Sequence, residues 1–252
     1  MFPIIRLLIR DVRATFDKGL LVIQLVLPLL FLFVAGFSYT NLIAPFHVNG
    51  KAVSYQQFLA AGVILQTVMT GSLFAGLLLW IDKRLGMFEQ ILMGPFTRSQ
   101  YAFSKILSSM VVGLGGAVII TAFAVPFFIG ITPSLFGVLI AFAAVFLAAI
   151  FFGSFAVVLS TLLKTNEAFN TVINLLFVVF TFVSSTFYPV SAAPPFLQGF
   201  LLFNPLSHAD DVLRLGLYGL APSLVLYEGI ALVVEAIVAF GLAVFAFRRI
   251  KV

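Results

Sequence analysis

Five stretches of this chain run for about 20 residues or more without a charge, the length an α-helix needs to cross the hydrocarbon core of a bilayer. They are residues 20-40, 58-81, 106-131, 135-163 and 168-188; a sixth, 224-247, is as long and carries only Glu228 and Glu235. Backbone groups in lipid must be satisfied within their own segment, and these runs lack the strict alternation of barrel strands, so each is predicted to be a helix. Hydrophobic residues make up 62% of the 252 and charged residues 9%, whereas a soluble domain carries about 25% charged residues. A water-soluble fold of this size has too little interior to hide the excess. The expected fold class is an all-α integral membrane protein with six transmembrane helices. No polar stretch is long enough to fold separately, so 1-252 reads as one transmembrane domain. The chain has no cysteine, which excludes disulfides, thiolate metal sites and cysteine nucleophiles.

Lys and Arg fall on alternate connections. Arg6, Arg10, Arg13 and Lys18 precede the first run; Lys83, Arg84, Arg98 and Lys105 flank the second loop. Lys164 lies in the fourth connection, and Arg248, Arg249 and Lys251 follow the last run. Those segments hold twelve of the 14 basic residues, and the opposite side holds only Lys51 and Arg214. The positive-inside rule then predicts a multi-pass protein of the cell membrane with both termini in the cytoplasm. The net charge of +5 is thus a matter of orientation, and no nucleic-acid partner is expected. Arginines spread through the N-terminus, before a long apolar run, do not make a cleavable signal. Interruptions at Pro28 and Pro126 are unmatched between halves, so no inverted repeat is read.

Three segments are not spans. At 100° per residue, Arg6, Arg10, Arg13 and Asp17 share one face of a helix within 1-19, and Ile5, Leu8, Ile9, Val12 and Phe16 share the other. That is an interfacial helix lying on membrane lipid, either a simple anchor or a mechanical part. In the loop 82-105, Met87, Phe88, Ile91 and Leu92 recur at helical spacing with Glu89 and Gln90 opposite, and Gly94-Pro95 ends the helix. Its apolar face needs either the membrane or a soluble partner. The external segment 189-223 holds a short apolar stretch, Phe196 to Phe203, between Pro194-Pro195 and Asn204-Pro205. It is read as a re-entrant helical hairpin, because irregular backbone at membrane depth must be buried or line a cavity.

Two motifs in register with this topology carry a resemblance. The run Gly86-Met87-Phe88-Glu89-Gln90-Ile91-Leu92 with Pro95, Arg98 and Lys105 resembles the cytoplasmic loop of ATP-binding-cassette type-2 permeases. Phe187-Tyr188-Pro189-Val190 with Pro194, then Asn204-Pro205-Leu206-Ser207-His208-Ala209 with Asp211 and Leu213-Arg214, resembles their last external loop. The family includes drug-resistance, polysaccharide and nodulation-factor export permeases. The resemblance implies that Phe88, Glu89, Ile91, Leu92 and Pro95 form a coupling helix seated on a separate ATPase. It places Arg6, Arg10 and Arg13 against headgroups and the same ATPase. It implies two permease copies, as a homo- or heterodimer, with two ATPase subunits that bind ATP and Mg, and an amphipathic or lipid-linked cargo passing outward between the two copies along a path lined mainly by the second and fifth spans.

Candidate sites are few. The chain lacks a Gly-x-x-x-x-Gly-Lys-Ser/Thr loop, so no ATP-hydrolysing site of that kind and no cofactor is expected in it. Glu228 and Glu235, seven apart, share one face of the sixth span. Intramembrane acids suggest either a proton path, and with it a gradient-driven transporter or channel, or bonding within the bundle. Polar positions Gln66, Thr67 and Thr70 in the second span, and Asn170, Asn174, Thr181 and Ser184 in the fifth, either pack helices or line a wet path. Gly71 and Ala75 form a small-xxx-small pair that permits close helix approach. His208, Asp210 and Asp211 read as a helix start, with Ser207 as cap and the two acids in the first turn. A lipid-modifying enzyme would need those three as its site; no metal is expected there.

Overall fold

The computed structural model describes residues 3–15, 25–39, 45–48, 51–94, 96–128, 134–220 and 224–248. It is a helical bundle. The elements are α1 (Pro3–Thr15), α2 (Leu25–Tyr39), α3 (Tyr55–Arg84), α4 (Met87–Met93), α5 (Arg98–Phe128), α6 (Leu135–Leu162), α7 (Asn166–Phe182), α8 (Pro195–Leu201), α9 (Pro205–Tyr218) and α10 (Val225–Arg248). Among the described residues, four helices are long and apolar enough to cross a membrane: α3, α5, α6 and α10. These carry the second, third, fourth and sixth predicted spans. The first and fifth correspond to shorter apolar helices, α2 and α7. At about 1.5 Å per residue, the 17 residues of α7 reach about 25 Å, less than a hydrocarbon core of about 30 Å. The chain then turns through Ser184, Ser185 and Thr186, all buried.

Helix starts follow local chemistry. Ser54 and Gln57 make a reciprocal capping box on α3. Ser134 caps α6 and Thr165 caps α7, each accepting from a backbone N–H of the first turn. A π-helical turn over Phe31–Ala35 interrupts α2 just after Pro28, where the missing N–H already weakens the ladder. Gly86 joins α3 to α4 at φ 66°, a left-handed conformation in which a Cβ would be strained.

The all-α expectation omitted one small element. Strands β1 (Phe46–Val48) and β2 (Lys51–Val53) pair antiparallel in the register Phe46↔Val53, His47↔Ala52, Val48↔Lys51. The two residues between them, Asn49-Gly50, are the commonest signal for a two-residue hairpin.

Helix α6 is the hub, packing on α3, α5, α9 and α10, while α1 lies along α5. Small residues make these contacts close. A Cβ on Gly71 would stand 3.1 Å from the Cα of Gly113, where α3 crosses α5. The predicted small-residue stripe is therefore used at Gly71, against a glycine of the third span; the side chain of Ala75 lies outside the described residues.

Four of the basic residues lie at the ends to which the alternating pattern assigns them. Arg10, Lys83 and Lys105 meet at one end of the bundle, joined there by α4 and the end of α10. Arg214 lies at the opposite end beside Phe58. Lys18, Arg249 and Lys251 fall outside the described residues.

Candidate functional site

At the basic end, four charges close a buried network. Lys105 Nζ lies 2.9 Å from Asp11 and 2.7 Å from Asp82, and Arg10 lies 2.7 Å from each of the same carboxylates. The Tyr101 hydroxyl donates to Asp82. The side chains of Lys105 and Asp11 are 1% and 2% exposed. Two cations against two carboxylates leave no net charge, which is what burial at this depth demands. Burial alone would lower Arg10, but Asp11 and Asp82 outweigh it and hold the guanidinium above its ordinary value. The network ties α1 to the end of α3 and the start of α5.

This geometry corrects the orientation of the first helix. Arg10 was expected on an outward face with Arg6 and Arg13. Instead it turns toward Asp82, and Leu7 and Asp11 are the buried positions of α1 while Ile5, Arg6 and Arg13 are exposed. Counting arginines against aliphatic residues missed the inward acid, whose partner Lys105 lies 94 residues further on. Asp17 and Phe16 fall outside the described residues.

The segment expected to serve as the coupling helix is held by the same end. Phe88 is 2% exposed; its ring meets Tyr101 at 5.4 Å and Phe247 at 5.8 Å, and those two rings stack at 5.5 Å. Phe88, expected on the partner-facing surface, thus anchors α4 to its own bundle. Ile91 is half-buried, while Met87, Gln90 and Met93 are exposed, Met93 at 81%. The side chains of Glu89 and Leu92, and Pro95 as a whole, lie outside the described residues.

Between α3 and α7 runs a groove. Thr70, Asn170 and Asn174 line it together with Leu73, Ile173 and Phe177 around a cavity of about 180 Å³. Three of the seven polar positions expected on a path therefore share one wall. Gln66 and Thr67 are buried, and Thr67 donates back to Val63. Thr181 and Ser184 are buried beneath α9, where Ser184 donates to Thr181 O and Thr186 Oγ1.

At the opposite end α9 is pinned from below. Arg214, 2% exposed, donates to Asp211 at 2.7 Å, to Ser185 O at 2.8 Å and to Phe58 O at 3.3 Å. Its guanidinium also lies 3.6 Å from the centre of the Phe58 ring. The start of α9 differs from expectation. Asn204 caps it and Pro205 is its first residue, so Asp210 and Asp211 lie beyond the first turn. Ser207 instead accepts the Ser185 N–H at 3.0 Å. An Asn followed by Pro is the better start, because it supplies an acceptor and a residue that needs none.

Glu235 faces His208 at 3.1 Å, and the other ring nitrogen of His208 lies 2.9 Å from Leu202 O. Burial pulls the imidazolium down, but Glu235 and the carbonyl more than offset it and hold His208 above its ordinary value. Burial pushes Asp210 up to about 7, against the pull of Arg214 and the Thr186 hydroxyl. Glu228 is buried beside Asp211. The spacing of seven thus brings both acids of α10 to the α9 interface.

Long apolar helices, a buried charge network and a helix presented beyond their basic end define a multi-pass membrane protein. The chain matches the ABC-2 type transporter family over residues 4–218. It belongs to that family. Its relatives include proteins named as a transport permease, ycf38, in Cyanophora paradoxa and Porphyra purpurea. Each is 29% identical over 189 residues, covering 74% of this chain and 64% of the relative. Nodulation protein J of Rhizobium leguminosarum bv. trifolii is 26% identical over 194 residues, covering 74% of this chain and 70% of that protein. The chain thus spans under two thirds of the length of the ycf38 relatives.

Proposed function

We propose that this chain is the permease subunit of an ATP-binding-cassette exporter, moving an amphipathic or lipid-linked cargo out of the cytoplasm. A separate ATPase subunit drives it. In this reading all six predicted spans cross the plasma membrane, α2 and α7 included, with both termini and α4 in the cytoplasm. The segment 189-223, with α8 and α9, forms the re-entrant hairpin over the outer end of the path. Two permease copies assemble with two ATPases, which hold ATP and Mg, and cargo passes along α3 and α7. The reading rests above all on α4. A short helix is fastened to the bundle by Phe88 yet presents Met87, Gln90 and Met93 outward, and a protruding surface of that kind needs a partner. Family membership supplies the kind of partner, an ATP-binding subunit.

The test is co-purification. An ATPase is expected to accompany the wild-type chain in a fixed ratio and to be lost from Glu89→Arg combined with Leu92→Asp, with the permease still folded. Transport that persists without any ATPase and stops on Glu235→Gln would overturn the reading in favour of a gradient-driven transporter.

A further inference from the structure

Helix α9 lies on the start of α10 through a face crowded with acids. Asp210, Asp211 and Glu228 are 0%, 7% and 4% exposed, and the guanidinium that faces them is Arg214, itself 2% exposed. From the turn after α7, Thr186 donates to Asp210 and Ser185 to Asp211. The Phe58 carbonyl of α3 and Tyr218 of α9 also face Arg214. Helix α6, packed on both α9 and α10, carries no charged residue. Three ionised carboxylates against one guanidinium leave two charges buried and uncompensated, which a bundle interior does not tolerate. Two of the three acids therefore hold protons. Their contacts agree. Asp210 Oδ1 and Glu228 Oε2 have no hydrogen-bond partner among the described residues. Glu228 lies against Asp211, and two carboxyls in contact are stable only with a proton between them. His208, with the Tyr227 ring beside it, gives an independent sign. Its Nδ1 stands 3.1 Å from Glu235 and its Nε2 2.9 Å from Leu202 O. A neutral imidazole has one N–H for those two acceptors, so the pair of His208 and Glu235 holds one proton more than a neutral ring and a carboxylate.

We propose that the α9–α10 seam is a proton-binding site, loaded while α9 lies on α10 and unloaded when the two helices part. Asp210, Asp211 and Glu228 form one half of it, and His208 with Glu235 the other. Parting the helices returns these groups to water, where carboxyls ionise near about pH 4 and histidine near about pH 6.5. The parted state thus binds fewer protons. By linkage, acid holds the seam shut and rising pH loosens it. The permease reading puts the seam at the outer face, so the outer medium supplies the protons; only that placement rests on the reading. The site needs no proton current across the membrane, which separates it from a gradient-driven mechanism.

Two measurements on the full-length chain in nanodiscs test this. Infrared spectra near neutral pH are expected to show the C=O stretch of protonated carboxyls, reduced in Glu228→Gln and in Asp210→Asn. Because the chain has no cysteine, spin labels attached through Phe203→Cys and Leu226→Cys, positions 76% and 77% exposed, report the distance from the start of α9 to α10. That distance is expected to lengthen as the pH rises from about 5 to about 9, a range that brackets the ordinary histidine value. Glu228→Gln combined with Glu235→Gln, whose amides stand for the protonated acids, is expected to reduce the shift by about twofold or more. The absence of a protonated-carboxyl band, a band that neither substitution alters, or a label distance that pH does not move overturns the proposal. The wild-type spectrum and the wild-type distance are decisive even where a variant fails to fold. Neither measurement involves the ATPase, so failure of the permease reading would show separately, as loss of co-purification.

Discussion

Replacing Lys105 with methionine isolates the contribution of the four-charge network. Methionine fills nearly the same volume, so packing changes little and the electrostatic effect dominates. Lys105 is 1% exposed and contacts both Asp11 and Asp82. Without it, two buried carboxylates share one cation, Arg10, whose side chain is 33% exposed. Leaving a buried charge uncompensated costs about 3–5 kcal/mol. The double variant Lys105→Met with Asp11→Asn returns the site to one cation and one carboxylate. It is expected to recover at least about 1.5 kcal/mol of that loss, because replacing both members of a buried pair is often close to neutral. Unfolding of the purified chain, titrated from mild detergent into dodecyl sulfate, measures both. The reasoning is refuted if Lys105→Met costs less than about 1 kcal/mol, or if the double variant is as unstable as the sum of the two single ones.

Phe88→Ala removes the ring that seats α4 on Tyr101 and Phe247, with an expected loss of about 3 kcal/mol and faster proteolysis within residues 85–97. Gly216→Ala places a Cβ 2.6 Å from Ala141 N and 2.7 Å from Gly137 O; such backbone clashes cost about 1–3 kcal/mol in the same titration. Gly199→Ala meets nothing within 4 Å and is expected to stabilise α8 by roughly 0.5–1 kcal/mol. His208 has its folded value raised, so its contribution is complete below about pH 6.5, the ordinary histidine value, and is lost as pH climbs through the raised value. The unfolding midpoint should fall across that window for the wild-type chain and stay flatter for His208→Gln.

What was legible in the sequence followed from properties that neighbouring residues share. Apolar runs and alternating basic connections depend on stretches of chain, and they located the helices and gathered Arg10, Lys83 and Lys105 at one end. The network among those residues was not legible, because Asp11, Asp82 and Lys105 each stand alone in their segments and acquire meaning only when α1, α3 and α5 converge. The start of α9 failed for a different reason. Ser207 and Asn204 are both sound caps by composition, and only the placement of Pro205 separates them. Glu228 and Glu235 illustrate a third case: their spacing correctly predicted a shared face, but it carried no information about what the face met. That face meets His208 and Asp211, which makes the acids of α10 part of what fastens α9 to the bundle. In the proposed reading α9 belongs to a hairpin over the outer end of the path, and such a hairpin must be held by bonds that can also release. His208 and Glu235 suit that need better than Arg214, whose guanidinium donates to Asp211, Ser185, Thr186 and Phe58 at once. Release at the outer end is therefore expected to pivot on the Arg214 side and to open on the His208 side. An engineered crosslink across the α9–α10 contact near His208 should arrest transport, whereas one between Phe58 and Arg214 positions should leave it running.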